Sequence, residues 1–219
     1  MNLTLDPTTH QYRLDGKIVP LSVTQVIAKA GMGPDYSGVQ PHVLERARQR
    51  GIHVDYGCDL LDDEDLDWDS VHPAWSGYIK AWEKARQTWG ITEVFTQCLI
   101  YIPSLQVAGT ADVLANAPMP VVIDRKTNTH AHPSSWGLQL AAYTYPDAVV
   151  AQKTIGQHHW VLSVHDRWII QLDGKGKPTR YLCQDPEDYA DFAACVAVAK
   201  GTANAGDHER LSARKARYE

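Results

Sequence analysis

Asp124 and Lys126 stand two residues apart in Val121-Val122-Ile123-Asp124-Arg125-Lys126-Thr127, at the end of a run built for a buried strand. Strand side chains alternate between faces, so these two project from one side and Arg125 from the other. A carboxylate holding a metal ion beside an ammonium that steers water or phosphate is the chemistry this geometry suits. Upstream, Asp112 has Ala111, Val113 and Leu114 as close neighbours. A carboxylate is costly in apolar surroundings unless a cation or hydrogen bonds compensate. Hard divalent ions such as Mg²⁺ take oxygen ligands and keep several waters, so two aspartates plus a backbone carbonyl, that of Arg125 among them, make a candidate set. The bland alternative for Asp124 and Lys126 is a same-face ion pair at a strand end, of little energetic consequence.

The elements that must position these residues follow from periodicity. Residues 10–20 read as a hairpin around Asp15-Gly16. Ser22-Val23-Thr24 offers a cap for a helix over Gln25–Ala30, ended by Gly31 and Gly33. A second helix is predicted from Pro41 to about Val54, with Arg46, Arg50 and His53 along one side and Glu45 at the surface. The acidic stretch from Asp59 to Asp69 reads as a solvated loop. His72 to Trp89 carries Trp75, Ile79, Trp82 and Trp89 as an amphipathic stripe, which is more often core than a base-stacking surface. Strands are expected over Val94–Ile102, Leu105–Leu114 and Pro120–Lys126, the last two forming a hairpin. A helix should cover Ser134–Ala148 unless Pro146 ends it early. Trp160–His165, Trp168–Leu172 and Thr179–Cys183 read as strands, and a closing helix should run from near Asp185 to about Lys200. The result is an α/β protein, a central mixed β-sheet flanked by α-helices.

With 219 residues and 44% hydrophobic content, one domain spanning 1–219 is expected. Residues 1–40 would be its N-terminal hairpin and helix, and 201–219 a basic tail. No apolar run approaches the roughly 20 residues a membrane span needs. The start lacks the basic and apolar regions of a signal peptide, which predicts a cytoplasmic protein, in the host cytoplasm if phage-encoded. The four cysteines are scattered, which favours reduced thiols. A formal charge of −5 gives no global reason to expect nucleic acid, but Arg46, Arg48 and Arg50 form a local basic cluster.

Four segments taken in order carry a resemblance. Arg50-Gly51-Ile52-His53, Gly109-Thr110-Ala111-Asp112, Asp124-Arg125-Lys126 and Gln139-Leu140-Ala141-Ala142-Tyr143 together resemble the PD-(D/E)XK nuclease superfamily, nearest to its RecB-like exonucleases and their small phage relatives. His10-Gln11-Tyr12 and Val19-Pro20-Leu21-Ser22-Val23-Thr24 resemble the start of those phage proteins, so the likeness runs to about Lys200. It implies a restriction-endonuclease-like core and a Mg²⁺- or Mn²⁺-dependent deoxyribonuclease holding one or two ions. Asp112 and Asp124 would be the metal-binding acids, with the Arg125 carbonyl completing the set. Lys126 would be the catalytic lysine and His53 a nitrogen ligand, helpful for Mn²⁺. Gln139 would support the lysine while the Tyr143 hydroxyl reaches a phosphate. Arg46, Arg50 and Lys153 would grip DNA largely without regard to sequence. Many relatives carry a glutamate on the strand before the first aspartate, where this chain offers Gln97 or Glu93. The cysteine pattern does not fit the iron-sulfur subgroup, so no such cluster is expected.

An exonuclease acting at DNA ends in phage-type recombination or repair is the form this likeness favours, with a homo-oligomer or a recombination protein as further partners. Its rivals are an endonuclease of the same fold, a catalytically idle nucleic-acid-binding relative, and an unrelated metal-dependent hydrolase of a small phosphorylated substrate. His53 taken alone would be an ordinary helix histidine, and Gln139 and Tyr143 alone could simply pack on the sheet.

Overall fold

Val, Ile and Leu recur at two-residue spacing through the middle of the chain, and these runs become strands with both faces buried. The computed structural model describes residues 1–128, 132–151 and 166–218. A small N-terminal sheet pairs β1 (Leu3–Asp6), β2 (Gln11–Leu14) and β3 (Lys17–Ile18) in order. Its β2–β3 turn is Asp15-Gly16, both at positive φ (47° and 82°), as a two-residue hairpin loop demands. The expected hairpin is therefore present, and β1 adds a strand the alternation did not predict.

β4 (Leu21–Ser22) leads into α1 (Val23–Lys29) through a capping box in which Ser22 and Gln25 satisfy each other's backbone N–H. α2 (Pro41–Asp62) and α3 (Pro73–Trp89) follow, separated by a 3-10 turn at Trp68–Ser70. The meander β5 (Thr92–Ile102), β6 (Val107–Asn116) and β7 (Pro120–Lys126) is antiparallel, with Val113 opposite Ile123. After α4 (Pro133–Tyr143) come β8 (Val149–Val150), β9 (Asp166–Leu172) and β10 (Pro178–Leu182). The chain closes with α5 (Asp188–Lys200) and α6 (Ala205–Tyr218).

The main sheet runs β10-β9-β7-β6-β5-β8, with β4 parallel to β6 and β7 parallel to β9, and is mixed as expected. Its alternation divides the core in two. Leu114, Val122 and Ile169 bury with Val26 of α1, Leu140 of α4 and Phe192 of α5. Val113, Val121, Ile123 and Ile170 bury with Val54 and Cys58 of α2 and Ile79 and Trp82 of α3. The tryptophan stripe of α3 thus serves the core, as its spacing suggested. No helix among the described residues is long and apolar enough to cross a membrane.

Three boundaries differ for physical reasons. α2 does not stop near Val54 but continues to Asp62, absorbing the start of the acidic stretch. Asp55, Asp59 and Asp62 recur at helical spacing and face a cation rather than water. α4 ends at Tyr143, ahead of Pro146. The basic tail is a helix, α6, whose Arg214 is fully buried against Asp188 and Asp191 of α5. The strand expected over 160–165 lies outside the described residues.

Candidate active site at the end of the β7 strand

Because Val113 pairs with Ile123, Asp112 stands opposite Asp124 on the neighbouring strand. Both share the face that carries Leu114 and Val122, and α4 packs there. The backbone N–H of Arg125 donates to Asp112 Oδ2 at 3.0 Å, tying the first acid to the strand that carries the second.

Asp124 is 1% exposed. Its Oδ1 accepts from Gln139 Nε2 at 2.7 Å, and its Oδ2 makes an ion pair with Lys126 but no hydrogen bond. Burial pushes the Asp124 carboxyl up to about 7, the charge of Asp112 adds to this, and Lys126 opposes it. Burial disfavours the Lys126 ammonium, but the charges of Asp124 and Asp112 outweigh it and hold the lysine protonated. Lys126 is thus a cationic donor, not a base.

Gln139 joins the set. Its Oε1 accepts from Lys126 Nζ at 3.4 Å, and its Nε2 also donates to the Tyr143 hydroxyl at 3.2 Å. One turn of α4 brings Gln139 and Tyr143 to the same face. Tyr143 is only 2% exposed. Its hydroxyl accepts from Gln139 and buttresses that side chain. The Tyr143 ring lies against Gly109, where an added Cβ would come within 2.8 Å of Tyr143 Cε1 and of Val23 Cγ2. Gly109 in the Gly-Thr-Ala-Asp segment is therefore needed for close packing.

The opposite face of β7 holds a site that alternation located but did not fill. The Arg125 side chain, 0% exposed, pairs with three aspartates of α2: Asp55 at 3.3 Å, Asp59 at 2.5 Å and Asp62 at 3.5 Å. Arg86 and the Trp82 indole N–H both donate to Asp62 at 2.8 and 2.9 Å, and the Arg125 guanidinium lies over the Trp82 ring. Burial raises the Asp62 carboxyl to about 6 against the pull of Arg125. Asp55 rises to about 7, from burial first and then the charge of Asp112, with Asp124 adding and Arg125 opposing. Asp55, missed in the sequence, is thus the α2 carboxyl raised by the charges of both site acids. Its signal was present in the spacing of Asp55, Asp59 and Asp62.

Comparison of the chain with protein-family models and with curated proteins finds no match.

The other sequence candidates fall in different places. His53 lies on α2, stacked on Trp75 with ring centroids 4.0 Å apart, and its Nδ1–H donates to the Gln49 carbonyl at 2.7 Å, leaving the Nε2 lone pair outward of that bond. Arg50 Nε donates to Thr127 Oγ1 at 3.4 Å, which sets its cation beside the residue after Lys126. Arg46 is exposed on the same helix, and Glu45 is a surface partner of Arg48. Gln97 donates to Asp59 at 3.2 Å, so it belongs to the Arg125 side, while Glu93 accepts from Asn116. Lys153 lies outside the described residues. Among the described residues no three His, Cys, Asp or Glu side chains converge as a ready-made metal cage.

Proposed function

We propose that this chain is a Mg²⁺- or Mn²⁺-dependent deoxyribonuclease with a restriction-endonuclease-like core of the PD-(D/E)XK kind, acting at DNA ends. The observation that carries the reading is the bonded set Asp124, Lys126 and Gln139 facing Asp112 across two central strands. A carboxylate buried beside a second carboxylate, with one oxygen partnered by Lys126 alone, fits a hard cation. Mg²⁺ is commonly held by one or two carboxylates, waters and substrate phosphates, so a convergent protein cage is not required.

Asp112 and Asp124 would hold the ion, with the charge of Asp55 adding to the field. When bound, such an ion supplies a water of lowered pKa and polarises the scissile phosphate. Lys126, kept protonated by Asp124 and Asp112, orients that water and offsets charge developing on the phosphate. Gln139 fixes both side chains in one geometry, and Arg50 meets the DNA backbone beside Thr127. Contacts of this kind are sequence-independent and weaken steeply with salt.

The test is digestion of duplex and single-stranded DNA in Mn²⁺ by the wild-type chain and by Asp124→Ala and Lys126→Ala variants shown to be folded by circular dichroism. The reading expects cleavage by the wild type, none with EDTA, and loss in both variants. Intact DNA under every condition rejects it, and cleavage that survives in both variants rejects this site.

A further inference from the structure

The sequence assigned Arg125 a carbonyl and nothing more, because its side chain points away from the acids. The structure shows that side chain to be the most heavily paired cation on β7. It is 0% exposed and bound to three carboxylates of one helix, while its own backbone N–H donates to Asp112 and its two neighbours in sequence are Asp124 and Lys126. A strand end is ordinarily free to shift or twist. Here it is held from below by a planar fork that donates to Asp59 and Asp62 and makes an ion pair through Nε with Asp55. The lock is itself held in place: Asp62 is bound by Arg86 and the Trp82 indole, and Asp59 by Gln97.

We infer that Arg125 is a positioning residue which, through Asp55, Asp59 and Asp62, sets the spacing of Asp112 and Asp124 and registers α2 against the catalytic strand. The inference rests on the reading of those two acids as metal ligands. Outer residues that orient metal ligands are worth about 10-fold to 100-fold in metal affinity. A purely structural ion pair would lower thermal stability and leave the folded protein's metal affinity unchanged.

The experiment is calorimetric titration of Mn²⁺ into the full chain, wild type beside Arg125→Lys and Asp59→Asn, with melting temperature and the KM and kcat for DNA measured in parallel. Lysine keeps the buried charge but cannot span three carboxylates. The expected result is Mn²⁺ binding weakened about 10-fold in Arg125→Lys and less in Asp59→Asn, with kcat falling and KM for DNA unchanged. Folded variants that bind Mn²⁺ as the wild type does, or that change only KM, overturn the inference. If Arg125→Lys does not fold, Asp59→Asn decides by the same criterion. Wild-type chain that binds no Mn²⁺ removes the metal reading itself and the inference with it, and that outcome is read in the wild-type arm alone.

Discussion

Two charge networks with buried members lie among the described residues, one beside β7 and one between α5 and α6, and they differ in their balance. At the C-terminal end Arg167, Arg210, Arg214 and Arg217 meet Asp185, Glu187, Asp188 and Asp191, four cations against four anions. Around β7, among the described residues, Asp55, Asp59, Asp62, Asp112 and Asp124 meet Arg86, Arg125 and Lys126, five carboxyl groups against three cations. The first set balances in charge and holds α6 on the fold, and burial still raises its Asp188 carboxyl. The second has more carboxylates than cations among the described residues, and burial first, with neighbouring carboxylates adding, raises its Asp55, Asp62 and Asp124. An excess of buried like charge is unfavourable for folding alone, so it marks the place where the chain is arranged for something other than stability.

The contrast is broken most severely by removing one acid from each network. Asp191→Asn should cost about 3–5 kcal/mol of unfolding free energy, because it strips a partner from the fully buried Arg214. Denaturant unfolding measures it. Asp124→Asn should cost less than Asp191→Asn in the metal-free protein, since it removes a buried charge and its repulsion with Asp112 while the partner it leaves, Lys126, is a quarter exposed. It should nevertheless lower DNA cleavage by about 100-fold or more. Equal destabilisation by the two substitutions would mean that the networks do not differ as described.

Linkage gives the next effect. The Asp124 and Asp55 carboxyls are raised in the folded state to about 7, so they favour folding while protonated and that contribution is lost as pH climbs through about 7. The melting temperature of metal-free protein should therefore fall between about pH 4 and about pH 7 from these groups and level off above. Mn²⁺ at about 100 times its dissociation constant should restore about 2.7 kcal/mol, with tighter binding at the higher pH. Scanning calorimetry with and without the ion checks both statements.

Much of this was legible beforehand, and the failures share a cause. Pro120–Lys126 was read as the strand it is, and Asp112, Asp124, Lys126 and Gln139 do come together. Local patterns sufficed there: alternation for the strands, one helical turn for Gln139 and Tyr143. The acidic half of α2 reads as a solvated loop and α6 as a basic tail because charge runs ordinarily are solvated. What buries Asp59 and Asp62 is Arg125, and what buries Arg214 is α5, partners distant in sequence that no local window contains. His53 drew attention as a residue type that binds metals, whereas Asp55 two positions on is the carboxyl that the charges of both acids raise.

Smaller effects sharpen the account. Gly109→Ala should cost about 1–3 kcal/mol, since its Cβ would press on Tyr143 and Val23. Through Gln139 it should lower kcat more than it raises KM for DNA, which steady-state kinetics resolves. Arg46→Ala should be the mildest, reducing the slope of log affinity against log salt by about one, without change in Mn²⁺ binding. Fluorescence anisotropy with labelled DNA across a salt series reads that slope.

On the proposed reading a divalent ion offsets the excess of carboxylates at β7, and the chain with that ion cuts DNA from its ends. Linear and covalently closed circular duplexes incubated with the purified chain in Mn²⁺, and resolved on a gel, test it most directly. The account predicts that the linear form is consumed, the circle survives and EDTA abolishes the reaction. Nicking of the circle would contradict the end requirement, and survival of both substrates would contradict the claim itself.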